Sequence, residues 1–240
     1  MDNPALHLSF SQLALALVPV LITLGILFKW SYDLGHAVYA LARMLAQLLL
    51  IGYVLAWIFG AGNGVLVLLV LAIMLLASSW IALGTVPEQR RALLWASVVS
   101  ITVGGGLTLA LITQAVLQIE PWYLPHYMIP LAGMVFANAM TAVSLAAERL
   151  YAELAHGAWW QSARLTAYQA AMIPVINSLF AVGLVSLPGM MTGQILSGVS
   201  PLVAARYQIV VMCMIFAASG ISTALFLAII RRRVALADQD

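Results

Sequence analysis

Thioether, imidazole, carboxylate and amide groups are the side chains in this sequence whose placement could support chemistry. Met128, Met134, Met140, Met190 and Met191 are candidate thioether ligands, and thioethers favour soft ions such as Cu(I). Methionine is also a common filler of apolar gaps, so a core role is the more frequent one for any single position. Glu120 and His126 bracket a stretch containing Pro121, Trp122, Tyr123 and Pro125. A carboxylate and an imidazole so close in sequence could capture or release a divalent ion. Anchoring of Trp122 and Tyr123 at a membrane interface accounts for the same stretch without an ion. Gln47, Asn138, Asn177, Ser186 and Gln208 are uncharged polar residues inside apolar runs, with Gln194 just beyond one of them. Hydrogen bonding between helices is their default role, and a translocation path lined by several of them is the sharper alternative.

Other chemistries are excluded. Lys29 is the single lysine and is followed by Trp30, so there is no GxxxxGK[ST] loop, and the chain cannot hydrolyse ATP as a P-loop enzyme. Cys213 is the single cysteine; an intrachain disulfide and a multi-thiolate zinc site are therefore impossible, and its apolar surroundings read as those of a buried membrane cysteine. His7, His36, His126 and His156 lie near the ends of apolar runs, and neither HExxH nor GxSxG occurs. All eight acidic residues fall in connectors or at run ends. A proton-coupled carrier normally needs a carboxylate at mid-membrane, so energy for transport would have to come from another subunit.

The elements that position these groups follow from composition. Of 240 residues, 64% are hydrophobic and 8% charged, against about 25% charge in soluble domains, and the mean hydropathy is +1.06. Residues 1–240 therefore form a single all-α transmembrane domain. Apolar runs near 10–28, 40–59, 64–83, 93–117, 128–147, 166–187 and 204–230 give seven expected membrane helices, separated by glycine- and proline-marked breaks. Basic residues fall in alternate connectors: Lys29 and Arg43, then Arg90 and Arg91, then Arg149 and Arg164, then Arg231, Arg232 and Arg233. Cytoplasmic connectors retain Lys and Arg, which places the N-terminus outside and the C-terminus in the cytoplasm. Arg206 is the exception; it would snorkel outward or pair with Glu120. The first ten residues carry Asp2 and no basic residue, so the first apolar run is expected to be kept as a span rather than cleaved as a signal peptide.

Residues 148–165 form the only sizeable cytoplasmic connector, with Trp159 and Trp160 among charges, suiting a helix held against the membrane or a partner. Gly133, Ala137 and Thr141 make a small-residue stripe beside Asn138, which reads as a close helix contact, across a dimer among the options. Gly104, Gly105 and Gly106 allow either a bend or close packing in the fourth run.

Several stretches then carry a resemblance. Ile129-Pro-Leu-Ala-Gly-Met134 continuing to Asn138-Ala-Met140, and Val182-Gly-Leu-Val-Ser-Leu-Pro-Gly-Met-Met191, resemble the FetB family of ABC-transporter permeases. Gly198-Val-Ser-Pro201, Tyr207-Gln-Ile209, Gln47 with Gly52-Tyr-Val-Leu55, and Ile101-Thr-Val-Gly104 extend the likeness over most of the chain. The resemblance implies a homodimeric bacterial inner-membrane permease, energised by a separate cytoplasmic ATPase of the FetA type and linked to iron export and to resistance to metal or oxidative stress. Plant members are tied to aluminium tolerance and, in one proposal, to nucleotide-sugar export. The chain departs from the family pattern at Ala137, where glycine is more usual, and in a shorter fifth connector. Ala155-His-Gly-Ala158 resembles the end of the segment that contacts the ATPase, with Glu153 a displaced acidic residue.

The resulting expectation is a homodimer whose path is lined by Asn138, Ser186, Met190, Met191 and Gln208, coupled to ATPase subunits through Glu153, Gly157 and Ala158. The chain itself would bind no cofactor, ATP belonging to the partner. Helices would flex at Gly104–Gly106, Pro174 and Pro188, and ATP binding would switch two conformational populations. The competing class is a membrane scaffold or regulator that has lost its coupling surface; a membrane enzyme is the weakest, because no acid, base and nucleophile converge.

Overall fold

The computed structural model describes residues 9–30 and 34–237; Asp2 and His7 lie outside them. The expected apolar runs are all helical: α1 (Phe10–Ala16), α2 (Val18–Lys29), α3 (Leu34–Ala61), α4 (Gly64–Ala82), α5 (Arg90–Ile101), α6 (Leu107–Ala110), α7 (Pro125–Ala155), α8 (Trp160–Ala181), α9 (Gly189–Leu196) and α10 (Pro201–Ala237). α5 and α6 belong to one rod, completed by π-helical stretches Thr102–Gly106 and Leu111–Val116. Five segments are long and apolar enough to cross a membrane: Leu34–Gly60, Gly64–Thr85, Arg90–Val116, Pro125–Ala155 and Pro201–Arg231. The first expected run gives a shorter apolar helix, Ala14–Lys29, and the sixth, α8, carries Gln161, Arg164 and Gln169 along its first half. The chain is an all-α, polytopic membrane protein.

Its residues group into two compact units, one ending at Gly60 and the other beginning at Ala61. In the first, Ser9 caps α1 reciprocally with Gln12: the Gln12 N–H donates to Ser9 Oγ, and the Ser9 N–H donates to Gln12 Oε1. Pro19 sits in the first turn of α2, where its missing N–H has no helical partner to lose. α3 starts at Leu34, earlier than the apolar run suggested, so Arg43 lies inside the helix rather than in a connector, and it is exposed there. Leu48, Leu49, Tyr53 and Trp57 are exposed on the same helix, a surface that suits acyl chains and needs no protein partner.

The second unit is built on α7 and α10. Ala132, Val135, Ala139, Ala142 and Ala146 of α7 are at most 1% exposed, and their alternating three- and four-residue spacing makes one buried face. The expected stripe is a different face, mostly not packed within this chain. Ala137 and Thr141 are exposed and only Gly133 is half-buried, its nearest neighbour being the Met74 Cε of α4. The 133/137/141 positions lie round the helix from the alanine seam, and in lipid alanine allows backbones to approach almost as closely as glycine does.

The glycines of the first π stretch explain how the α5 rod joins this core. A Cβ on Gly104 would lie 2.5 Å from the Ser222 backbone nitrogen and 2.8 Å from its Cα on α10. One on Gly105 would meet the Val135 Cγ1 of α7 at 3.0 Å, whereas one on Gly106 would meet nothing. Of the two roles open for these glycines, close packing is the one their surroundings require at positions 104 and 105. Threonine hydroxyls supply donors to carbonyls in and around the π stretches: Thr102 to Val98 O (2.7 Å), Thr108 to Gly104 O (2.6 Å) and Thr113 to Leu109 O (2.9 Å). Without water in the hydrocarbon, such local donors keep an irregular ladder affordable in free-energy terms. At the end of α4, Arg90 donates from Nε and Nη2 to Trp80 O (3.1 and 2.8 Å), and its guanidinium lies 3.9 Å from the Trp80 ring centroid. One side chain thus satisfies an orphan helix-end carbonyl and stacks on the ring beside it.

The connector is mostly helix. α7 runs on to Ala155 and α8 begins at Trp160, so only His156–Trp159 forms a turn, with Gly157 at φ +79°. Arg149 and Glu153 form an ion pair one turn before the end of α7. Among the described residues no ion pair joins Arg206 to Glu120, and Arg206 is exposed.

Gly104→Ala forces a side chain into the α10 backbone and is expected to cost about 1–3 kcal/mol, while Gly106→Ala is neutral or stabilising by up to about 1 kcal/mol. Thermal unfolding in detergent compares the two; equal effects would remove the packing account.

Candidate functional site

α8 ends at Ala181, and residues 182–188 turn back on themselves before α9. The Gly183 N–H donates to Ser186 O at 2.9 Å, and the N–H groups of Val185 and Ser186 both donate to Ala181 O. Gly183 holds φ +84°, a left-handed conformation that favours glycine. Leu184 and Val185 form the tip, 89% and 80% exposed. Pro188 leads into α9, whose Thr192 hydroxyl donates back to Pro188 O. Gly198, at φ +90°, and Ser200 then lead into α10 at Pro201.

This segment and the first third of α10 border an open groove with a volume of about 320 Å³. Ala205, Gln208, Ile209, Met212 and Cys213 line it from α10, and Met191 from α9 faces the same space. The α10 residues recur at three- and four-residue intervals and so occupy one stripe of the helix. Gln208 is 6% exposed, and no hydrogen bond joins its carboxamide to another described residue. Met212 is buried, whereas Cys213 is exposed. That exposure corrects the expectation of a buried membrane cysteine. An apolar neighbourhood in sequence does not say which way a residue on an all-apolar helix points.

The structure thus unites two of the five expected path residues, Met191 and Gln208. The others lie apart. Asn138 is half-buried on α7 and donates from Nδ2 to Met134 O at 2.8 Å, the intrahelical bond of a polar residue held in lipid. Ser186 is exposed in the turn, and Met190 packs against the core. Met212 and Cys213 were missed as partners, although the four-residue step from Gln208 to Met212 was visible in the sequence.

A second, larger groove of about 470 Å³ lies between α4, the α5 rod and α7. Leu68, Leu75, Leu109, Met128 and Phe136 dominate its wall, with Thr113 and Gln114 as polar members; its chemistry is that of a lipid-filled groove. Glu120 and His126 are both exposed at the connector before α7, where Trp122 and Tyr123 stack edge-on. Among the described residues no three His, Cys, Asp or Glu side chains gather as a metal-ligand set. On the connector, Glu153 is engaged by Arg149, Gly157 forms the turn, Ala158 packs against the core, and Trp159 is 87% exposed.

The profile of an uncharacterised protein family, UPF0014, matches residues 10–235. The chain belongs to the UPF0014 family. It is 35% identical to the UPF0014 membrane protein slr1647 of Synechocystis, covering 83% of each chain. It is 33% identical to a protein of Escherichia coli named "Probable iron export permease protein FetB", covering 90% of this chain and 88% of that one. It is also 35% identical to the protein ALUMINUM SENSITIVE 3 of Arabidopsis thaliana, covering 88% and 81%. No solved structure matches it. This UPF0014 chain is a multi-pass integral protein of the bacterial inner membrane.

Gln208→Leu removes an amide, on a buried residue, that has no hydrogen-bond partner among the described residues. The UPF0014 fold is therefore expected to be as stable as before or more so, by about 1 kcal/mol. A lowered unfolding midpoint would show that the carboxamide is structurally bonded.

Proposed function

We propose that this chain is the membrane subunit of an ABC-type exporter of iron or another metal ion, driven by a separate cytoplasmic ATPase of the FetA type. The observation that carries the reading is the likeness to the Escherichia coli protein named as an iron export permease, which extends over 90% of the chain. The absence of a P-loop agrees with it, because the energy source then lies on another polypeptide. The Arabidopsis relative's name points to a metal as well.

In this reading the N-terminus is outside and the C-terminus cytoplasmic, with the His156–Trp159 turn on the ATPase side. Exposed Trp159 is the anchor of the contact, flanked by Glu153, Gly157 and Ala158; a large aromatic ring at the centre of an interface typically carries much of its binding energy. Two copies meet through the exposed side of α7 that carries Ala137 and Thr141, where small side chains permit close approach. The ion passes the groove of Met191 and Gln208. Ser186 and Met190 belong to the same turn-and-helix segment, and Asn138 keeps its amide oxygen available because only Nδ2 is bonded to Met134.

The test is to purify the tagged protein from gently solubilised membranes, identify what accompanies it, and measure ATP hydrolysis with and without Fe(II). A stoichiometric ATPase whose turnover rises with the metal is the expected result. Trp159→Ser should weaken retention of that ATPase about tenfold or more while leaving the unfolding midpoint unchanged. The short turn between α7 and α8 favours one alternative, a scaffold without a motor, and absence of any ATPase across salt and detergent conditions would establish it.

A further inference from the structure

The groove between α9 and α10 holds a donor set of which the functional reading above uses only Met191 and Gln208. It is lined by two thioethers, Met191 and Met212, and by the chain's single thiol, Cys213. Gln208 is the remaining polar member, a residue 6% exposed whose amide makes no hydrogen bond to another described residue. Gln208, Met212 and Cys213 share one stripe of α10 and Met191 comes from α9, so the donors reach the space from two elements. The rest of the wall is apolar: Leu179, Val182 and Ile209, with small Ala205 and Gly183 leaving room.

We propose that this groove binds a soft monovalent metal ion, Cu(I) or Ag(I), between Cys213, Met191 and Met212. Sulfur donors select soft ions, whereas Fe(II) and harder divalent ions prefer nitrogen and oxygen. Charge gives the same answer. The thiol loses its proton to solvent as the sulfur–metal bond forms, so a monovalent cation and a thiolate make a neutral unit that an apolar lining tolerates; a divalent ion would leave a net charge in that lining. The Gln208 amide adds a polar group to the same lining, at the opposite edge of the stripe from Cys213. The site goes beyond the exporter reading: it gives this groove a soft-ion class of its own, whether or not iron is the ion transported, and it rests on that reading only if the bound ion is itself exported. Ion binding itself requires no ATPase.

The single cysteine makes the measurement clean, because every maleimide adduct reports position 213. The whole protein in lipid nanodiscs is labelled with a membrane-permeant maleimide across a titration of silver nitrate in chloride-free buffer, and then of Fe(II). Silver is expected to block labelling at one ion per chain, with release of one proton, and Fe(II) at the same concentrations to leave labelling unchanged. A bare thiol also binds silver, so the deciding comparison is among variants. Met191→Leu and Met212→Leu should each weaken protection about tenfold or more. Met44→Leu, distant in sequence and outside the groove's lining, should not. Unfolding midpoints accompany each variant, and leucine keeps the volume of methionine, so a folding defect is recognised directly. Protection that is the same in wild type and in both methionine variants would overturn the proposal, since Cys213 would then be acting alone. Protection by Fe(II) equal to that by silver would overturn it too. Neither result bears on whether an ATPase co-purifies.

Discussion

Where the α5 rod meets α10 and α7 there is space for a backbone but not for a side chain, and the rod makes those contacts with Gly104 and Gly105. The hydrophobic effect cannot drive helices together in lipid, where the surroundings are as apolar as the side chains. What holds the second unit together is close contact, and close contact requires small residues on the faces that meet. The alanine face of α7 meets this need on one side and Ser222 meets it on the other. The π-helical stretches on either side of α6 widen the turn of the rod there, and threonine hydroxyls supply donors to its carbonyls. Substituting the glycines would therefore disturb three helices at once, because their separation is set by the backbone itself.

The positions of the helices could be read from the sequence because composition dominates in a membrane. An apolar run bounded by glycine, proline or charge has few options besides a helix, and every expected run is helical over most of its length, the first as two helices and the sixth only as far as Ala181. Helix faces were less legible. Gly133, Ala137 and Thr141 carry the pattern of a packing stripe, yet the buried seam is the neighbouring line of alanines. In a soluble helix polar residues mark the outer face; where nearly every residue is apolar, that marker is lost and small residues occur on both sides. The connector, read as a helix held against the membrane or a partner, is mostly helix: Glu148, Arg149 and Glu153 ride on α7 as it continues beyond the apolar stretch, and the turn falls at Gly157.

The candidate site shows the same division. Met191 and Gln208 could be picked out because one belongs to the Ser-Leu-Pro-Gly-Met-Met segment and the other is an amide in an apolar run. Their meeting depends on the reversal of the chain at Gly183 and Gly198, whose positive φ angles aim α9 back towards α10. No residue pattern announces which methionine will face which helix after two such turns. Cys213 was passed over because a lone cysteine in an apolar run is ordinarily inert; its place beside two thioethers, rather than its type, gives it interest.

α7 extends over 31 residues, about 46 Å at 1.5 Å per residue, against a hydrocarbon thickness of about 30 Å. Its final turns therefore stand clear of the acyl chains with no loop between them and the alanine seam in the membrane. The ion pair of Arg149 with Glu153 and the bond of His156 Nδ1 to Ala152 O stiffen that extension. Mechanically it is the handle of a lever whose load is the core. A push sideways on the turn at Gly157 has no slack to take up and arrives at Ala139 and Ala142 as a tilt of the whole rod, so the least apolar part of the helix sets the inclination of the most buried part.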